Sequence, residues 1–393
     1  MTEQSGASRP QLVSGVRAAG AAGEAMAAAG PAVVARLARL PKADLHLHLE
    51  TAMRWTTLAT LRARAGEALP SRPVAGVLED FEPVRAAVAG VLRAPERWAR
   101  LADEVLSDYL AQGVVHLEPS FVARNYRGAF PSDEHCWMHV LETFGAAAER
   151  HGVSMGFMAA VDRVRDTPES ALELARLAVR LRPYGMTSFG LHSQEMGYPG
   201  DRFAAAFRAA KDGGLLVTPH AGEFAGPASL REALDTLGAD RIQHGVRAGE
   251  DADLLARLAE ERVCLDVCPT SNVVLGVVPS IGAHPLPHLM RAGVPCSLAA
   301  DDPIWFDTSI LGEYVRCAVE LGLDDAGLAA LAQASITYSA APPAVKDAAS
   351  DAVADWLAAS PEGQVGHGAQ RRDGSADQPS VAAGLEARTS DIT

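Results

Sequence analysis

Histidine and carboxylate side chains occur in four short clusters along the chain. The first lies in residues 44–50, DLHLHLE, where strict alternation of polar and apolar residues predicts a β-strand. The period of two places His46 and His48 on the same face, so both imidazoles can bind one metal ion. A His-x-His pair on a strand can equally be two core or surface residues, so this interpretation depends on the other clusters.

The other three clusters each follow a short apolar run that has the composition of a strand. Their residues are His220 and Glu223, then His244, and finally the adjacent pair Asp301 and Asp302. Parallel α/β barrels build their sites at the carboxyl ends of their strands. We therefore expect the four clusters to meet at one end of a barrel.

The residue types in these clusters suit a catalytic zinc site. Three neutral imidazoles and one carboxylate form a ligand set for one Zn²⁺ per chain, and such an ion lowers the pKa of bound water. The predicted ligands are His46, His48, His220 and Asp301. Glu223 is then predicted to be the general acid or base, and His244 to position the water or deprotonate it. The chemistry that this set indicates is hydrolysis.

Structural roles are the alternatives for several of these residues. Glu223 could begin a helix, since acidic residues are favoured in a first turn, and His244 could lie in a turn. Asp301 and Asp302 could cap a following helix, a role that is compatible with a catalytic one. The histidines outside the clusters and their motifs are predicted to be structural or exposed. They are His116, His135, His139, His151, His284, His288 and His367.

The elements that must hold these residues alternate between short β-type runs and longer Ala/Leu/Arg-rich segments with helical spacing. This pattern predicts an α/β fold with parallel strands, a (β/α)₈ TIM barrel, although an open doubly wound sheet gives the same alternation. Residues 51–113 are too long for one crossover helix, so we expect extra helices after the first strand. The predicted strands are residues 43–49, 114–117, 154–160, 187–191, 215–219, 241–243, 263–267 and 295–298.

Composition divides the chain into three parts. Residues 1–32 are low-complexity Ala and Gly, and residues 361–393 are rich in Gly, Gln, Ser and Asp, so both are predicted to be disordered extensions. Residues 33–360 have the length of a single barrel. Glu24 and several glycines in the first segment argue against an export signal.

Net charge and cysteine content limit the classes of binding partner and the cellular compartment that we expect. A net charge of −14 argues against binding to nucleic-acid phosphates and favours a small neutral or cationic substrate. The five cysteines are odd in number and predict no disulfide framework, so we expect a cytoplasmic location, with Cys264 and Cys268 as core residues. No uninterrupted apolar stretch is long enough to cross a membrane.

Four motifs, in the same order, resemble those of the adenosine deaminase family, a branch of the amidohydrolase superfamily. The resemblance covers about residues 37–356 and implies a (β/α)₈ barrel with one zinc ion on the four predicted ligands. The motifs are residues 41–49, the His-Ala-Gly-Glu within 219–223, residues 243–245 and residues 297–303, and residues 268–272 resemble the family's Cys-Pro-x-Ser-Asn stretch.

The resemblance also implies a reaction, the hydrolytic deamination of a 6-aminopurine nucleoside. We expect adenosine or 2′-deoxyadenosine to be converted to inosine or 2′-deoxyinosine with release of ammonia. By this resemblance Glu223 protonates N1 of the purine, His244 orients or deprotonates the attacking water, and Asp302 binds N7. His48 is expected to contact the substrate as well.

The chain departs from the family pattern at its substrate contacts. Glu50 stands where most members have a shorter aspartate, and it is expected to contact the ribose. Ser193 stands where a glycine amide meets purine N3, and residues 116–120 replace the usual arginine-bearing strand. Deamination of a 5′-modified adenosine derivative is therefore an alternative.

Two further functions compete with deamination. A related two-metal hydrolase of lactones, amides or phosphoesters needs a modified bridging lysine, but Lys211 precedes Asp212-Gly213-Gly214 and does not end a strand. A non-catalytic, zinc-stabilised nucleoside-binding protein has no need of Glu223. We therefore prefer deamination.

Overall fold

Ten β-strands and fifteen α-helices follow one another over residues 21–360, the part of the chain that the computed structural model describes. The strands are β1 (Lys42–His48), β2 (Val114–Phe121), β3 (Ser154–Met155), β4 (Phe157–Asp162), β5 (Met186–His192), β6 (Leu216–Val217), β7 (His220–Ala221), β8 (Arg241–His244), β9 (Cys264–Val267) and β10 (Cys296–Leu298). The helices are α1 (Ala21–Ala38), α2 (Trp55–Arg64), α3 (Glu82–Leu92), α4 (Arg97–Ala111), α5 (Asp133–His151), α6 (Pro168–Arg180), α7 (Ala204–Asp212), α8 (Pro227–Glu232), α9 (Ala252–Glu260), α10 (Pro269–Val274), α11 (Leu286–Arg291), α12 (Pro303–Phe306), α13 (Ile310–Val319), α14 (Asp325–Thr337) and α15 (Pro343–Ala358).

The strands pair in parallel and form a barrel. One ladder has the order β1-β2-β4-β5-β6, with β3 also against β2, and the other has the order β10-β9-β8-β7. β3 and β4 are two segments of one barrel strand interrupted at Gly156, and β6 and β7 are two segments of another interrupted at Thr218 and Pro219. Eight barrel strands result, and each coincides with a predicted strand.

Backbone hydrogen bonds join the first strand to the segment after the last. The His48 amide donates to the Asp301 carbonyl over 2.9 Å, and the Asp301 amide donates to the His46 carbonyl over 3.0 Å. The buried carboxyl of Asp44 accepts from the amides of His46 and Ala300 at 3.3 and 3.4 Å. The predicted (β/α)₈ barrel is confirmed, since an open sheet has no such link between its edge strands.

The long connection between β1 and β2 contains the extra helices that the sequence predicts. α2 and α3 precede α4, whose buried residues Trp98, Leu101, Ala102 and Val105 recur at helical spacing and form its core-facing stripe. The Trp98 indole N–H donates to the Leu92 carbonyl at 2.9 Å and so joins the end of α3 to α4. This pairing covers one side of the barrel near β2.

Helix α1 places the predicted domain boundary at residue 33 inside a helix. Leu37 and Leu40 are buried, the Trp356 indole donates to the Arg36 carbonyl at 3.0 Å, and the Arg36 guanidinium pairs with Asp325. Alanine has the highest helix propensity, which suits the Ala-rich start of α1, and the helix packs against α13. Residues 1–20 and 361–393 lie outside the described residues, so the disorder predicted there stays a prediction.

Paired charges lie in the barrel interior, below the carboxyl ends of the strands. The Arg241 guanidinium donates to Glu118 Oε2 at 2.9 Å and to Asp266 Oδ2 at 2.6 Å, and Ser297 Oγ donates to Asp266 Oδ1 at 2.7 Å. All four side chains are buried, and buried charges are tolerated only where they are paired and hydrogen-bonded. This network fixes β2, β8, β9 and β10 relative to one another beneath the site.

Candidate active site

The four sequence clusters meet at the carboxyl end of the barrel. His46 Nε2 lies 3.1 Å from His220 Nε2 and 3.4 Å from Asp301 Oδ1, and His48 Nε2 lies 3.3 Å from the same carboxylate oxygen. His46, His220 and Asp301 are buried, whereas the His48 side chain is 22% exposed. The strand ends therefore bring the predicted ligands together, although their assignment as ligands stays a prediction.

Three overlapping groups of side chains in residues 21–360 offer ligand atoms within 4.8 Å of one another. His46 and His48 never share a group, so the four predicted ligands are joined through His220 and Asp301, each of which lies in one group with His46 and another with His48. Ligands bound at about 2.0–2.1 Å around a tetrahedral ion lie about 3.3–3.4 Å apart, which matches the contacts of Asp301 with His46 and His48, whereas His46 and His48 lie farther from each other. The groups are His46, His220, His244 and Asp301; His48, His192 and His220; and His48, Asp301 and Asp302.

The Nδ1 atoms of His46 and His48 face oxygen atoms outside this centre. Ser120 Oγ donates to the Leu47 carbonyl at 3.2 Å and can accept from His48 Nδ1, also at 3.2 Å. The Asp266 carbonyl can only accept, and it lies 3.4 Å from His46 Nδ1. This arrangement is compatible with metal binding through Nε2.

The loop that carries Glu223 begins with a glycine in the left-handed region. Gly222 has φ 67°, and a Cβ there would lie 2.5 Å from Leu230 Cδ1, so the His-Ala-Gly-Glu motif requires glycine at this position. Helix α8 starts only at Pro227, so the alternative that Glu223 begins a helix is wrong. Glu223 Oε2 lies 3.4 Å from His244 Nε2, and Oε1 is buried without a hydrogen-bond partner among residues 21–360.

The surroundings of Glu223 favour its protonated form. Burial raises the pKa of this carboxyl well above its usual value, and the nearby carboxylates of Asp301, Glu195 and Asp302 raise it further. A carboxyl group that is protonated near neutral pH can donate a proton to a substrate. The environment is therefore that of a general acid.

Glu195 holds the Glu223 loop in place, a role that sequence reasoning missed. Its carboxylate accepts from the backbone amides of Gly222, Glu223, Phe224 and Ala225 at 2.7, 3.1, 2.8 and 2.9 Å, and from the Ser229 hydroxyl. Glu195 lies two residues after Ser193 in the sequence His-Ser-Gln-Glu at 192–195, but nothing in the sequence connects these residues to residues 222–225.

We expect Glu195→Gln to disturb this loop. The glutamine NH₂ cannot accept, so at least one backbone amide loses its partner, which costs about 1–3 kcal/mol of stability. The expected result is a lower melting temperature and a kcat reduced by about 10-fold or more, since positioning groups of this kind are worth about 10–100-fold. Thermal melts and steady-state kinetics test this, with the exposed Glu142→Gln on α5 as the control; equal behaviour of the two variants would contradict it.

Three site residues have backbone conformations that the sequence does not reveal. Ser193, His244 and Asp301 have φ of 76°, 66° and 59°, in the left-handed region that non-glycine residues seldom adopt. Each follows or ends a barrel strand, where the chain must turn away from the barrel axis. Such strain clusters at functional sites and persists because the surrounding structure fixes it.

Asp302 lies beside the cluster, and its side chain does not cap the helix that follows it. Although it precedes α12, its side chain makes no capping hydrogen bond to that helix. Its Oδ2 lies 4.0 Å from His48 Nε2, and burial, together with the neighbouring Asp301, raises the pKa of Asp302 to about 8. The Asp302 carboxyl is therefore available for the predicted contact with N7 of the purine.

The two predicted sugar and purine contacts lie at the same end of the barrel. Glu50 follows β1 in the short 3₁₀ turn Leu49–Ala52, and the Tyr126 hydroxyl donates to its Oε1 at 3.2 Å. Burial raises the pKa of Glu50. Ser193 is exposed directly after β5 and retains the left-handed backbone that suits a glycine.

Two histidines that the functional assignment did not use lie close to the site. His192 ends β5, and its ring centroid lies 4.6 Å from that of His48 and 4.8 Å from that of His220. His284, read as structural or exposed, is buried and contacts Asn272 of the Cys-Pro-Thr-Ser-Asn motif. Cys268 is buried as predicted, with its Sγ 3.4 Å from His46 Nδ1.

Within residues 21–360, no helix is both long enough and apolar enough to cross a membrane.

Comparisons with known proteins point to one family. The profile of the adenosine deaminase family matches residues 41–356. A putative adenosine/adenine deaminase of Streptomyces coelicolor is 39% identical and covers 82% of this chain and 98% of its own length. An aminodeoxyfutalosine deaminase of the same organism is 38% identical and covers 77% of this chain and 81% of its own length.

A solved structure shares the fold. The adenine deaminase of Arthrobacter aurescens superposes with a TM-score of 0.75 at 30% sequence identity, covering 81% of this chain and 99% of that one. The motif order, the barrel and these similarities agree with one another. The chain therefore belongs to the adenosine deaminase family of the amidohydrolase superfamily, and it is a C–N hydrolase that deaminates adenine- or adenosine-type substrates.

Proposed function

We propose that this chain is a zinc-dependent enzyme that hydrolyses the 6-amino group of adenosine or 2′-deoxyadenosine, giving inosine or 2′-deoxyinosine and ammonia. The observation that carries the proposal is the position of the Glu223 carboxyl, whose unpaired Oε1 is buried next to His244 and the His46–His220–Asp301 cluster. A purely structural metal site has no use for a buried acid beside it, so this arrangement supports catalysis.

The proposed metal site uses His46, His48, His220 and Asp301. Three imidazoles and one carboxylate suit zinc, and the contacts of His46 with His220 and of Asp301 with His46 and His48 support a shared ion. When bound, such an ion polarises water and makes it nucleophilic near neutral pH. The two-metal alternative is not supported, since Lys211 Nζ donates to Asp240 and to the Gly238 carbonyl and is not at the site.

The other residues would guide protons and hold the purine. The oxygen of water bonds to C6 while Glu223 supplies a proton to N1, and the Glu223 carboxylate takes up one proton from the water. The C6–N6 bond then breaks as the second proton of the water passes to N6, which leaves as ammonia, and the oxygen remains as the C6 carbonyl. In this proposal His244 positions the water, Asp302 binds N7, and the Ser193 backbone amide faces N3. His48, the most exposed of the predicted ligands, also borders the substrate.

The sugar would contact Glu50. Its carboxylate is held from the β2 side by Tyr126 and lies one turn beyond His48, which supports a pocket for the ribose next to the purine site. A side chain one methylene longer than the usual aspartate must either reach a different sugar atom or displace the 5′ end. The alternative substrate, a 5′-modified adenosine derivative, is favoured by this same feature.

A panel of substrates tests the proposed function. We expect kcat/KM to be higher for adenosine, 2′-deoxyadenosine, 5′-deoxyadenosine and 5′-methylthioadenosine than for adenine, because sugar contacts help to position C6. Glu50→Asp should change the ratios among the nucleosides by about 10-fold, the value of a hydrogen bond to a charged group. Adenine, which lacks the sugar, is the internal control and should be affected least. The ribose contact is wrong if adenine is the best substrate or if every ratio is unchanged in Glu50→Asp.

A further inference from the structure

A buried chain of hydrogen bonds reaches His244 from the side opposite the proposed metal. The Asn272 amide Nδ2 lies 3.3 Å from His244 Nδ1, and Asn272 Oδ1 lies 3.2 Å from His284 Nε2. The backbone amide of Leu286 lies 3.1 Å from His284 Nδ1. His244, Asn272 and His284 are all buried, so their polar atoms depend on one another.

The backbone amide of Leu286, at the far end of this series of hydrogen bonds, determines which atoms donate and which accept. The Leu286 N–H can only donate, so His284 Nδ1 must accept and cannot carry a proton. Burial lowers the pKa of His284 to about 3, so the ring is neutral near pH 7 and its single proton lies on Nε2. That N–H donates to Asn272, which must present its carbonyl oxygen to His284. Amide orientation is thus fixed by the network.

The orientation of the Asn272 amide in turn determines which nitrogen of His244 carries the proton. With its oxygen facing His284, Asn272 presents its NH₂ to His244 and donates to Nδ1. A neutral His244 therefore carries its proton on Nε2, which points towards Glu223 Oε2 at 3.4 Å and Asp301 Oδ2 at 3.9 Å. At His46 and His48 the neighbouring oxygen atoms face Nδ1 instead, which leaves Nε2 available to a metal.

We propose that Asn272 and His284 are positioning residues that keep His244 as an Nε2–H donor. In this state His244 cannot bind the metal through Nε2, although it lies in one of the candidate ligand groups, and it cannot take the proton of the attacking water. It instead donates a hydrogen bond to the oxygen that bonds to C6, and the carboxyl of Glu223 is left as the acid and base. This inference rests on the proposed function, and it assigns a role to the Cys-Pro-Thr-Ser-Asn motif.

Asn272→Asp reverses the hydrogen bond to His244 with almost no change in the shape of the side chain. A carboxylate can accept from His284 and from His244, so the His244 proton should move to Nδ1. We expect kcat to fall by about 10–100-fold, the usual effect of a partner that orients a site histidine, while KM changes much less and zinc content is unchanged. A purely structural role would not produce this tautomer change.

Nitrogen-15 NMR of the zinc-loaded protein, labelled at histidine, reads the tautomer directly. The His244 signals are assigned by their loss in His244→Gln. The expected result is a protonated Nε2 in the wild type and a protonated Nδ1 in Asn272→Asp. A wild-type His244 with its proton on Nδ1, or a variant with an unchanged tautomer and unchanged kcat, would overturn the proposal.

A matched pair at residue 284 tests the same chain if Asn272→Asp folds poorly. His284→Gln keeps a donor for Asn272 and an acceptor for Leu286 and should preserve the tautomer and kcat. His284→Leu removes the donor, so Asn272 can rotate, and both the tautomer and kcat should change. Equal behaviour of the pair would count against the proposal. A wild type without deaminase activity would refute the proposed function. The NMR experiment would still test the hydrogen bonds from His284 to His244, because its signals do not depend on turnover.

Discussion

Glu223→Gln is expected to lower kcat by about 10²-fold or more while the protein keeps its zinc and binds the nucleoside. Glutamine matches glutamate in size and polarity but has no proton to transfer to N1. The loop should retain its shape, because the Glu195 carboxylate holds residues 222–225 through their backbone amides, which the substitution leaves intact. Steady-state ammonia release, zinc content and nucleoside binding by calorimetry measure the three parts of this result.

Glu149→Gln is the matched control for this change. Glu149 is exposed on α5 and distant from the barrel end, so the same chemical substitution should leave kcat unchanged. If Glu223→Gln released ammonia at nearly the wild-type rate, the acid would have to be another residue, and the proposed mechanism would be wrong at its central step.

Asp301→Asn is expected to abolish most metal binding and with it the activity. Asp301 Oδ1 lies within 3.4 Å of both His46 Nε2 and His48 Nε2, and the negative charge of this carboxylate would partly neutralise the proposed ion. Asparagine is the appropriate replacement because residue 301 has φ 59°, a conformation that asparagine tolerates better than alanine. Elemental analysis should give about one zinc per wild-type chain and much less in the variant.

Asp351→Asn on α15 controls for the loss of a carboxylate elsewhere, since Asp351 is exposed and far from the barrel end. Wild-type zinc content together with wild-type activity in Asp301→Asn would remove Asp301 from the ligand set. Two tightly bound metals per wild-type chain would contradict the single site.

The sequence was sufficient for the barrel and for the residues that meet at its end. Short apolar runs predicted the strands because a parallel barrel buries both faces of each strand, and polar residues after those runs marked the active end. His46 and His48 shared a face by simple alternation, and the structure brings His220 and Asp301 to them. The extra helices between β1 and β2 followed from the length of the connection.

Contacts between distant loops could not be predicted in the same way. Glu195 binds the amides of residues 222–225 through a loop geometry that depends on a left-handed Gly222 and on the Ser193 turn. The Asn272–His284 contact depends on how the segment after β9 folds back before α11. Neither leaves a periodic pattern, because each is a tertiary contact between segments far apart in the chain.

Helix α1 crosses the boundary that composition predicts at residue 33. It begins at Ala21, and in its second half Leu37 is buried and Arg36 packs 3.9 Å from the Trp356 ring centroid. The Trp356 indole, more than three hundred positions away in the chain, donates to the Arg36 carbonyl. Composition alone does not place such a boundary, because tertiary contacts contribute to where a helix forms.

Ammonia release from adenosine, measured on one preparation before and after metal removal, tests the central claim most directly. We expect the zinc-loaded protein to form inosine and ammonia in equal amounts. A chelator should abolish both products, and added Zn²⁺ should restore them, because the nucleophile depends on the ion held by His46, His48, His220 and Asp301. Full activity in protein that elemental analysis finds free of zinc, or no ammonia from any 6-aminopurine nucleoside with zinc bound, would contradict the account.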